Sequence, residues 1–435
     1  MIPPSTAEEP AGRVEAVVRE CPGCGLFQIE PALSAGMTAR CERCGTTLRR
    51  TRQHSLEHSL ALALAALILL IVMCLSILMT VRTSGIVHDA GMFSGPAELV
   101  RRGMSGLAAV VVFVTVVAPL GKLIGTIYVL LRIREATPPR HLRRVFVWVE
   151  RLSTWSMVEV FVLGVFVAYV KLGDLVTIEL NTGVYALLAL TFVFVWADSV
   201  LDREAVWDAL GGMRARDASR EALLAGRVPP RAVGCEICTL VVVPEQHGAA
   251  CPRCGSALHA RKLESIAWTW ALVIAAAVTY LPANLYPVLT VVQLGAGQPS
   301  TILGGVRELI QSRMYPLAAL VFFASIAVPM LKMVGLTAML ISVQTGHTRW
   351  LRDRTRLYYI IHWIGRWSMI DIFMEALLGA LVQFGGVVTI EPGIGAVAFC
   401  AVVVLTIFAA ETFDPRIMWD AAEGGMNSKR IRAEA

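Results

Sequence analysis

The stretch LALALAALILLIVMCLSILMTV, from Leu60 to Val81, is the first of several long uncharged runs that decide the fold. About 20 apolar residues at about 1.5 Å of rise each are enough for a helix to cross ~30 Å of hydrocarbon. The run follows a polar, cysteine-rich segment, so it does not have the pattern of a cleavable signal peptide. The sequence therefore predicts a helix that spans a membrane.

The composition extends this prediction to the whole chain. Of its 435 residues, 56% are hydrophobic and only 17% are charged, and the mean hydropathy is +0.63. A soluble chain usually carries about 25% charged residues. Because the missing charges leave long uncharged runs, we predict a polytopic membrane protein and not a soluble protein with a large core.

The chain contains one module twice. Short blocks recur with an offset of about 210 residues, and this register holds along the whole membrane part. The matching blocks are Glu98–Val100 and Glu308–Ile310, 118–125 and 328–335, Trp155–Glu159 and Trp367–Asp371, Thr177–Glu179 and Thr389–Glu391, and Trp207–Asp208 and Trp419–Asp420.

Each module is predicted to hold a small zinc ribbon followed by about four transmembrane helices, in an all-α fold with two parallel repeats. The expected domains are ribbon 1 at 15–53, transmembrane module 1 at 54–208, ribbon 2 at 230–260 and transmembrane module 2 at 261–421. The expected spans are 58–82, 106–133, 154–172 and 183–200, then 265–291, 315–343, 366–386 and 393–411. The third span of each module starts with an amphipathic, arginine-bearing stretch that is also compatible with a position along the membrane interface.

The net charge of +6 is explained by topology, without a nucleic-acid partner. Five arginines lie between Arg132 and Arg144 and four lie between Arg349 and Arg356, on the same side as the cysteine pairs if the spans alternate. Under the positive-inside rule, both termini and both ribbons face the cytoplasm. The predicted location is the bacterial inner membrane.

Eight of the ten cysteines form CxxC pairs with the spacing of metal sites. Two such pairs can present four thiolates to one ion at about 2.3 Å, and in a reducing cytoplasm they are ligands more often than disulfides. We predict two structural Zn²⁺ sites, with rubredoxin-like iron as the alternative metal. The ligands are Cys21, Cys24, Cys41 and Cys44 in the first site, and Cys235, Cys238, Cys251 and Cys254 in the second.

Ionisable residues inside the spans are candidates for a functional site, because each costs about 2.5–3.5 kcal/mol to insert. We predict a polar cluster in module 2 and a related pair of charges in module 1 that face the interior of the bundle. The cluster comprises Ser325, Lys332, Asp371, Glu375 and Thr406, and the pair comprises Lys122 and Glu159. Two interpretations stay open: a gate coupled to protons or substrate, or buried ion pairs that only fix helix packing.

The fifth span carries Asn284 between Pro282 and Pro287. Proline removes a backbone donor, and broken helices often line substrate sites in transporters. A simple kink near the outer membrane face is the other interpretation. The first span has no such element, and the position that matches Thr406 is Phe194. Module 2 is therefore the more polar and the more deformable of the two.

These motifs together resemble the paraquat-inducible protein A family, over roughly residues 20 to 420. The resemblance rests on tandem CxxC pairs, the PANLYP element, P-x-x-K and W-S-M-x-[DE]. It implies an inner-membrane protein that works with a periplasmic MCE-domain partner of the PqiB or LetB type and moves phospholipid between membranes. Module 1 departs from this pattern, since it lacks both the proline–asparagine element and a hydroxyl at the position that matches Thr406.

Three functions are compatible with the sequence. The first is transport of lipid, with the proton motive force acting through Lys332 and Asp371, since no P-loop motif for nucleotides is present. The second is a scaffold or assembly factor that anchors the MCE partner, for which the outer loops at 87–102 and 295–313 are the expected surface. The third, a membrane redox protein, is disfavoured because paired CxxC motifs close around a metal. No enzyme activity is predicted.

Overall fold

The computed structural model describes residues 17–433, except for 31–32, 35, 53–54, 84–85, 136–138, 174–176, 213, 215–216, 218–231, 245–247, 294–295 and 382–387. The chain divides into two compact units. The ribbon unit contains Met1–Gln53 and Asp202–Ala260. The membrane unit contains His54–Leu201 and Arg261–Ala435.

Helices dominate the fold and short strands connect them. The strands are β1 Val17–Glu20, β2 Phe27–Glu30, β3 Thr38–Arg40, β4 Thr47–Arg50, β5 Ile77–Thr83, β6 Ile86–Gly91, β7 Thr177–Leu180, β8 Val233–Gly234, β9 Val241–Val242, β10 Leu289–Gln293, β11 Ala296–Ser300 and β12 Val388–Pro392. The helices are α1 Ser55–Leu75, α2 Ser94–Arg101, α3 Ser105–Val112, α4 Ala118–Arg132, α5 His141–Trp155, α6 Val158–Gly173, α7 Thr182–Val200, α8 Arg203–Ala209, α9 Ser265–Leu285, α10 Ile302–Gln311, α11 Tyr315–Phe322, α12 Val328–Gln344, α13 Leu351–Gly365, α14 Ile370–Leu381, α15 Ile394–Thr412 and α16 Arg416–Ala433.

Where the structure describes it, the ribbon unit is built from small antiparallel hairpins and helix α8. Strand β1 pairs with β2, β3 with β4, and β8 with β9. Helix α8 joins this unit although it directly follows the last span of module 1. Asp202 begins it, because its carboxylate accepts hydrogen bonds from the backbone N–H groups of Glu204 and Ala205. The two ribbons therefore belong to one compact unit, which the sequence pattern did not indicate.

The prediction of a multi-pass membrane protein is confirmed. Within the described part of the chain, seven helical segments are long and apolar enough to cross a membrane. They are Ser55–Leu75, Ser105–Arg132, His141–Val170, Thr182–Val200, Ser265–Leu285, Tyr315–Gln344 and Ile394–Thr412. The segment expected at 366–386 is not among them: it contains a 3₁₀ turn, Arg366–Met369, and the 12-residue helix α14, and its end falls outside the described residues. The eighth span stays a prediction.

The all-α expectation was incomplete, because each module carries a three-stranded antiparallel sheet. Strand β5 lies between β6 and β7, and β10 lies between β11 and β12. The expected spans 58–82 and 265–291 were therefore too long: α1 ends at Leu75 and α9 at Leu285, and strands follow. An apolar strand directly after an apolar helix gives one continuous hydrophobic run, so composition alone does not reveal the boundary. We call the membrane end where α1 and α9 finish the far end.

The second long helix of each module contains a π-helical turn. It covers Phe113–Val117 between α3 and α4, and Phe323–Ala327 between α11 and α12. A proline follows two residues later in both cases, at Pro119 and Pro329, and cannot donate to the carbonyl one turn earlier. Such single turns occur frequently at functional sites.

The third long segment of each module is broken at the W-S-M motif. In module 1, α5 ends at Trp155 and the extended backbone of Ser156 precedes α6. In module 2, the 3₁₀ turn Arg366–Met369 separates α13 from α14. The expected third span, 154–172, thus corresponds to α6, and the arginine-bearing stretch before it is the separate helix α5. Each break leaves carbonyl groups at a helix end that need partners other than the helix itself.

The two modules meet where α6 packs against α14. The rings of Phe161 and Phe373 lie edge to face with centroids 5.5 Å apart. A Cβ atom on Gly164 would come within 2.8 Å of the Cβ of Phe373, so the glycine permits the close approach of these helices. On the same helix, Ala376 lies against Gly95 of α2. Helix α14 therefore contacts two helices of module 1, α6 and α2.

We expect Gly95→Ala to destabilise the membrane unit. The added Cβ would lie 2.8 Å from the backbone oxygen of Ala376, so a main chain must shift, at a cost of about 1–3 kcal/mol. Gly106→Ala is the matched control, because nothing lies within 4 Å of its Cβ position. Thermal unfolding of the detergent-solubilised protein should show a lower midpoint for Gly95→Ala alone. Equal midpoints for the two variants would contradict this account of the α2–α14 contact.

Candidate functional site

Each ribbon gathers its four cysteines into one buried cluster. Within each set, the four Sγ atoms all lie within 4.8 Å of one another. The separations between facing pairs are 3.5 Å for Cys21–Cys44 and 3.6 Å for Cys24–Cys41, and they are 3.5 and 3.6 Å for the matching pairs of ribbon 2. These separations are far longer than the ~2.05 Å of a disulfide bond. None of these eight cysteines forms a disulfide bond.

The two clusters fit a tetrahedral metal ion. Four sulfurs at about 2.3 Å from one ion stand about 3.8 Å apart, which is close to the observed separations. Three glycines that follow cysteines, Gly25, Gly45 and Gly255, have φ angles of +72° to +79°, as the tight turns between ligands require. The chemistry of the donor set, four thiolates, suits zinc or iron. The prediction of two metal-binding sites is thus supported by geometry, whereas the identity of the metal stays a prediction.

We expect metal analysis of the purified protein to find about two zinc ions per chain, since two closed four-thiolate sites are present. Cys24→Ser or Cys238→Ser removes one ligand of a single site, and the content should fall to one or below. Cys400→Ser is the control, because Cys400 is a buried cysteine of α15 that belongs to neither cluster. Iron with the visible absorption of a four-thiolate site would show that the predicted metal is wrong.

Lys332 lies in the interior of module 2 and bridges three helices. Its side chain is almost completely buried, with 1% exposure. Its Nζ donates hydrogen bonds to the Gly365 carbonyl of α13 at 2.8 Å and to Oγ1 of Thr406 on α15 at 3.2 Å. The Gly365 carbonyl is available because α13 ends there, and a cation at a helix C-terminus is also favoured by the helix dipole. The break at W-S-M thus positions an acceptor for the lysine.

Lys122, the equivalent lysine of module 1, has different partners. Its Nζ donates to both carboxylate oxygens of Asp198 on α7, at 2.6 and 2.7 Å, and lies 4.4 Å from the centre of the Phe194 ring. The carboxylate that Lys122 contacts is therefore that of Asp198, and not that of Glu159 as expected. Asp198 lies one helical turn after Phe194, on the helix that the lysine faces, and it therefore reaches the ammonium group. Glu159 lies in the first turn of α6 and is half-buried.

The other predicted site residues of module 2 are placed as follows. Ser325 is completely buried in the π-helical turn, and its hydroxyl donates to the Val321 carbonyl at 2.7 Å. Asn284 is half-buried, and its side-chain amide donates to the Tyr280 carbonyl. The side chains of Asp371 and Glu375 lie outside the described residues, although the backbone of both belongs to α14.

An apolar pocket that is partly open to the outside lies in the far half of module 2. Its walls come from α10, α11, α14 and α15, from the sheet formed by β10 and β11, and from Val167 on α6 of module 1. Ser325 belongs to the lining and lies two helical turns before Lys332. The pocket therefore extends from the far end toward the lysine cluster.

Sequence reasoning missed three features of this site. The Gly365 carbonyl has no side-chain signal, although the W-S-M motif marks the helix end beside it. Asp198 lies near the end of the expected span 183–200, where a charge is not unusual. The pocket arises from packing between segments that are distant in the sequence, mostly of module 2, so no single segment encodes it.

The fold and these sites define a multi-pass membrane protein with a duplicated module and two four-cysteine ribbons. Residues 56–211 and 266–423 match the sequence profile of the family described as "Paraquat-inducible protein A". The chain belongs to this family, as its sequence resemblance indicated. The two matched stretches correspond to the two modules, since each contains the spans but not the ribbon.

Curated relatives match along nearly the full length. The chain is 34% identical over 403 residues to "Intermembrane transport protein PqiA" of Escherichia coli K12, which covers 92% of this chain and 95% of that protein. It is 32% identical over 407 residues to "Lipophilic envelope-spanning tunnel protein A" of the same organism, which covers 94% and 92%. A "Probable intermembrane transport protein" of Haemophilus influenzae is 28% identical over 417 residues, or 92% and 94%. No solved structure matches the chain.

Proposed function

We propose that this chain is the inner-membrane subunit of an MCE-type intermembrane lipid transport system. Module 2 moves phospholipid between the inner membrane and a periplasmic MCE-domain partner. Two relatives are named intermembrane transport proteins and a third is named for a lipophilic tunnel, and none of these names denotes an enzyme. The observation that carries the proposal is the apolar pocket of module 2, whose lining reaches Ser325, two helical turns before the buried Lys332.

The pocket suits an acyl chain. Its lining is mostly apolar, with hydroxyl groups only from Ser300, Thr301 and Ser325, and it is partly open to the outside, as a groove for an acyl chain would be. It opens in the far half of the module, which faces the periplasm in the proposed orientation. The corresponding helix of module 1, α2, packs directly against α14 at Gly95. Helix α10 of module 2 thus lines the pocket, whereas its counterpart α2 in module 1 packs against another helix. We therefore assign the lipid to module 2.

The Lys332 cluster supports a coupling to protons. A buried ammonium group with one carbonyl and one hydroxyl as acceptors lacks full compensation for its lost hydration. Asp371 lies on α14, just beyond the break at which Gly365 ends α13. Proton exchange at Lys332 and Asp371 would change the charge between α12, α13 and α15 and so bias their packing. We assign Ser325 to the path between this cluster and the pocket.

The proposed topology places both termini and both ribbons in the cytoplasm of a bacterium, and the far end in the periplasm. The arginine clusters of 132–144 and 349–356 support this orientation. A green fluorescent protein fused after Ala435 should fluoresce in whole cells, whereas alkaline phosphatase fused at the same place should be inactive. The opposite pattern would reverse the orientation.

A scaffold is the second candidate function. In each module, the far end presents a sheet and a short helix, α2 or α10, with one exposed face, within the segments expected to contact a partner. A protein that only anchors the MCE partner would use these surfaces without the pocket. Lipid transfer between proteoliposomes that contain the partner separates the two functions: transfer by the chain supports transport, and partner binding without transfer supports a scaffold.

A further inference from the structure

Glu204 of α8 lies between the two metal ribbons and binds residues of both. Its Oε1 accepts hydrogen bonds from Nη1 of Arg19 at 3.1 Å and from Oγ1 of Thr239 at 2.7 Å. Its Oε2 lies 3.5 Å from Nη1 of Arg253. All of these residues belong to the ribbon unit, and Glu204 is only 7% exposed.

The residues that bind Glu204 adjoin the metal ligands. Arg19 lies two residues before Cys21 of ribbon 1. Thr239 directly follows Cys238 of ribbon 2, and Arg253 lies inside the second CxxC pair of that ribbon. The Arg253 guanidinium, 1% exposed, also donates to the Cys238 carbonyl at 3.3 Å and to Asp208 of α8 at 2.5 Å. A single carboxylate therefore joins residues that adjoin the two four-cysteine clusters.

Two further contacts connect the ribbons directly. Val18 of ribbon 1 packs in one buried cluster with Ala232 and Val241 of ribbon 2. The carboxylate of Glu20 accepts a hydrogen bond from the backbone N–H of Gly234 at 2.7 Å. A Cβ on Gly234 would lie 2.8 Å from the Glu20 side chain, so the two strands approach closely at this glycine.

The charge of Glu204 is specific to this copy of the module. The matching position after the last span of module 2 is Arg416, which pairs with Asp414 at 2.8 Å instead. Burial would raise the pKa of Glu204, but Arg19, Arg253 and the Thr239 hydroxyl outweigh burial and hold its pKa below the ordinary value. Glu204 is thus an ionised carboxylate between two buried guanidinium groups.

We propose that α8 is a shared docking helix whose Glu204 couples the two metal ribbons, so that each ribbon retains its metal more firmly while the other is folded. Small metal-bound domains lack a sufficient core of their own, and their folding and metal binding are linked. Loss of ribbon 1 removes Val18 from the apolar cluster and Arg19 from Glu204, whereas loss of ribbon 2 removes Ala232 and Val241 from the cluster and Arg253 from Glu204. This role of the ribbons is independent of the proposed transport function.

The test measures zinc release from ribbon 2 in the full-length, detergent-solubilised protein loaded with zinc. Ribbon 1 is disabled with Cys21→Ser and Cys24→Ser, and release to a coloured chelator is followed over time. We expect ribbon 2 to release zinc about tenfold faster when ribbon 1 is disabled. Glu204→Gln alone should accelerate the release by a similar factor. In the combined variant the two effects should not multiply. Unchanged release from ribbon 2 without ribbon 1, or multiplying effects, would overturn the proposal.

A second measurement avoids the metal ligands. Thr239→Val removes a hydrogen bond to Glu204 from ribbon 2, and amide hydrogen exchange is read in residues 17–30 of ribbon 1. Exchange in ribbon 1 should accelerate severalfold with both zinc ions still bound. Arg203→Gln, an exposed neighbour on α8, is the control and should leave exchange unchanged. Exchange that accelerates only within ribbon 2 would show that the ribbons are not coupled.

Discussion

Lys332→Met should reduce the rate of lipid transfer at least about 100-fold while the protein remains folded in the membrane. Methionine fills a similar volume, and replacing a buried charge by an apolar side chain is often neutral for stability. The variant loses both hydrogen bonds of the lysine, to Gly365 and to Thr406, together with the charge itself. Transfer from donor to acceptor proteoliposomes and abundance in isolated membranes are the two measurements.

Lys122→Met is the matched control in module 1. Lys122 is also buried, but Asp198 neutralises it with two hydrogen bonds, and the pocket is lined mainly by module 2. We expect this variant to keep most of its transfer activity and to lose stability, because Asp198 loses its partner. If Lys332→Met reduces abundance and transfer in proportion, the lysine fixes helix packing, and the transport role assigned to it is wrong. Asp371→Ala should behave as Lys332→Met does.

Gly305→Leu should reduce lipid transfer about tenfold or more without loss of stability. Gly305 lines the apolar pocket, and the nearest atom to its Cβ position is the Ser300 hydroxyl at 3.8 Å, so a larger side chain enters free space. Burying a leucine side chain contributes about 1.5–3 kcal/mol, and the thermal midpoint should stay the same or rise. The leucine then occupies the space that the acyl chain needs.

Gly304→Leu serves as the control for the pocket. Gly304 is an exposed neighbour on α10 and does not belong to the lining, so its variant tests whether any bulk on this helix disturbs the partner surface. Transfer should be near normal in this variant. Equal losses in both variants would assign the effect to partner binding and not to the pocket.

The features that the sequence predicted well are those with a local chemical signal. Four cysteines at metal-site spacing, uncharged runs of membrane length and a repeated P-x-x-K motif each depend on residue types close together in the chain. Lys332 and Thr406 were expected together because two unusual polar residues in apolar helices have few other partners, and the structure places them 3.2 Å apart.

The features that could not be predicted from the sequence depend on contacts between distant segments. Leu78 and Val81 are as apolar as the helix before them, so the change to strand at Ile77 was hidden in a continuous hydrophobic run. Lys122 was expected to pair with the acid of the next helix, whereas its carboxylate partner is Asp198, on a later one. Glu204 connects the two ribbons partly through Arg19, which lies 185 positions earlier in the sequence.

Reconstitution tests the central claim most directly. The chain and its MCE-domain partner are placed in proteoliposomes that contain a fluorescent phospholipid, and transfer is measured with and without an imposed proton gradient. The proposed function predicts transfer that depends on the chain, accelerates with the gradient and disappears in Lys332→Met. A partner that binds the chain while no lipid moves under the gradient would contradict transport and favour a scaffold.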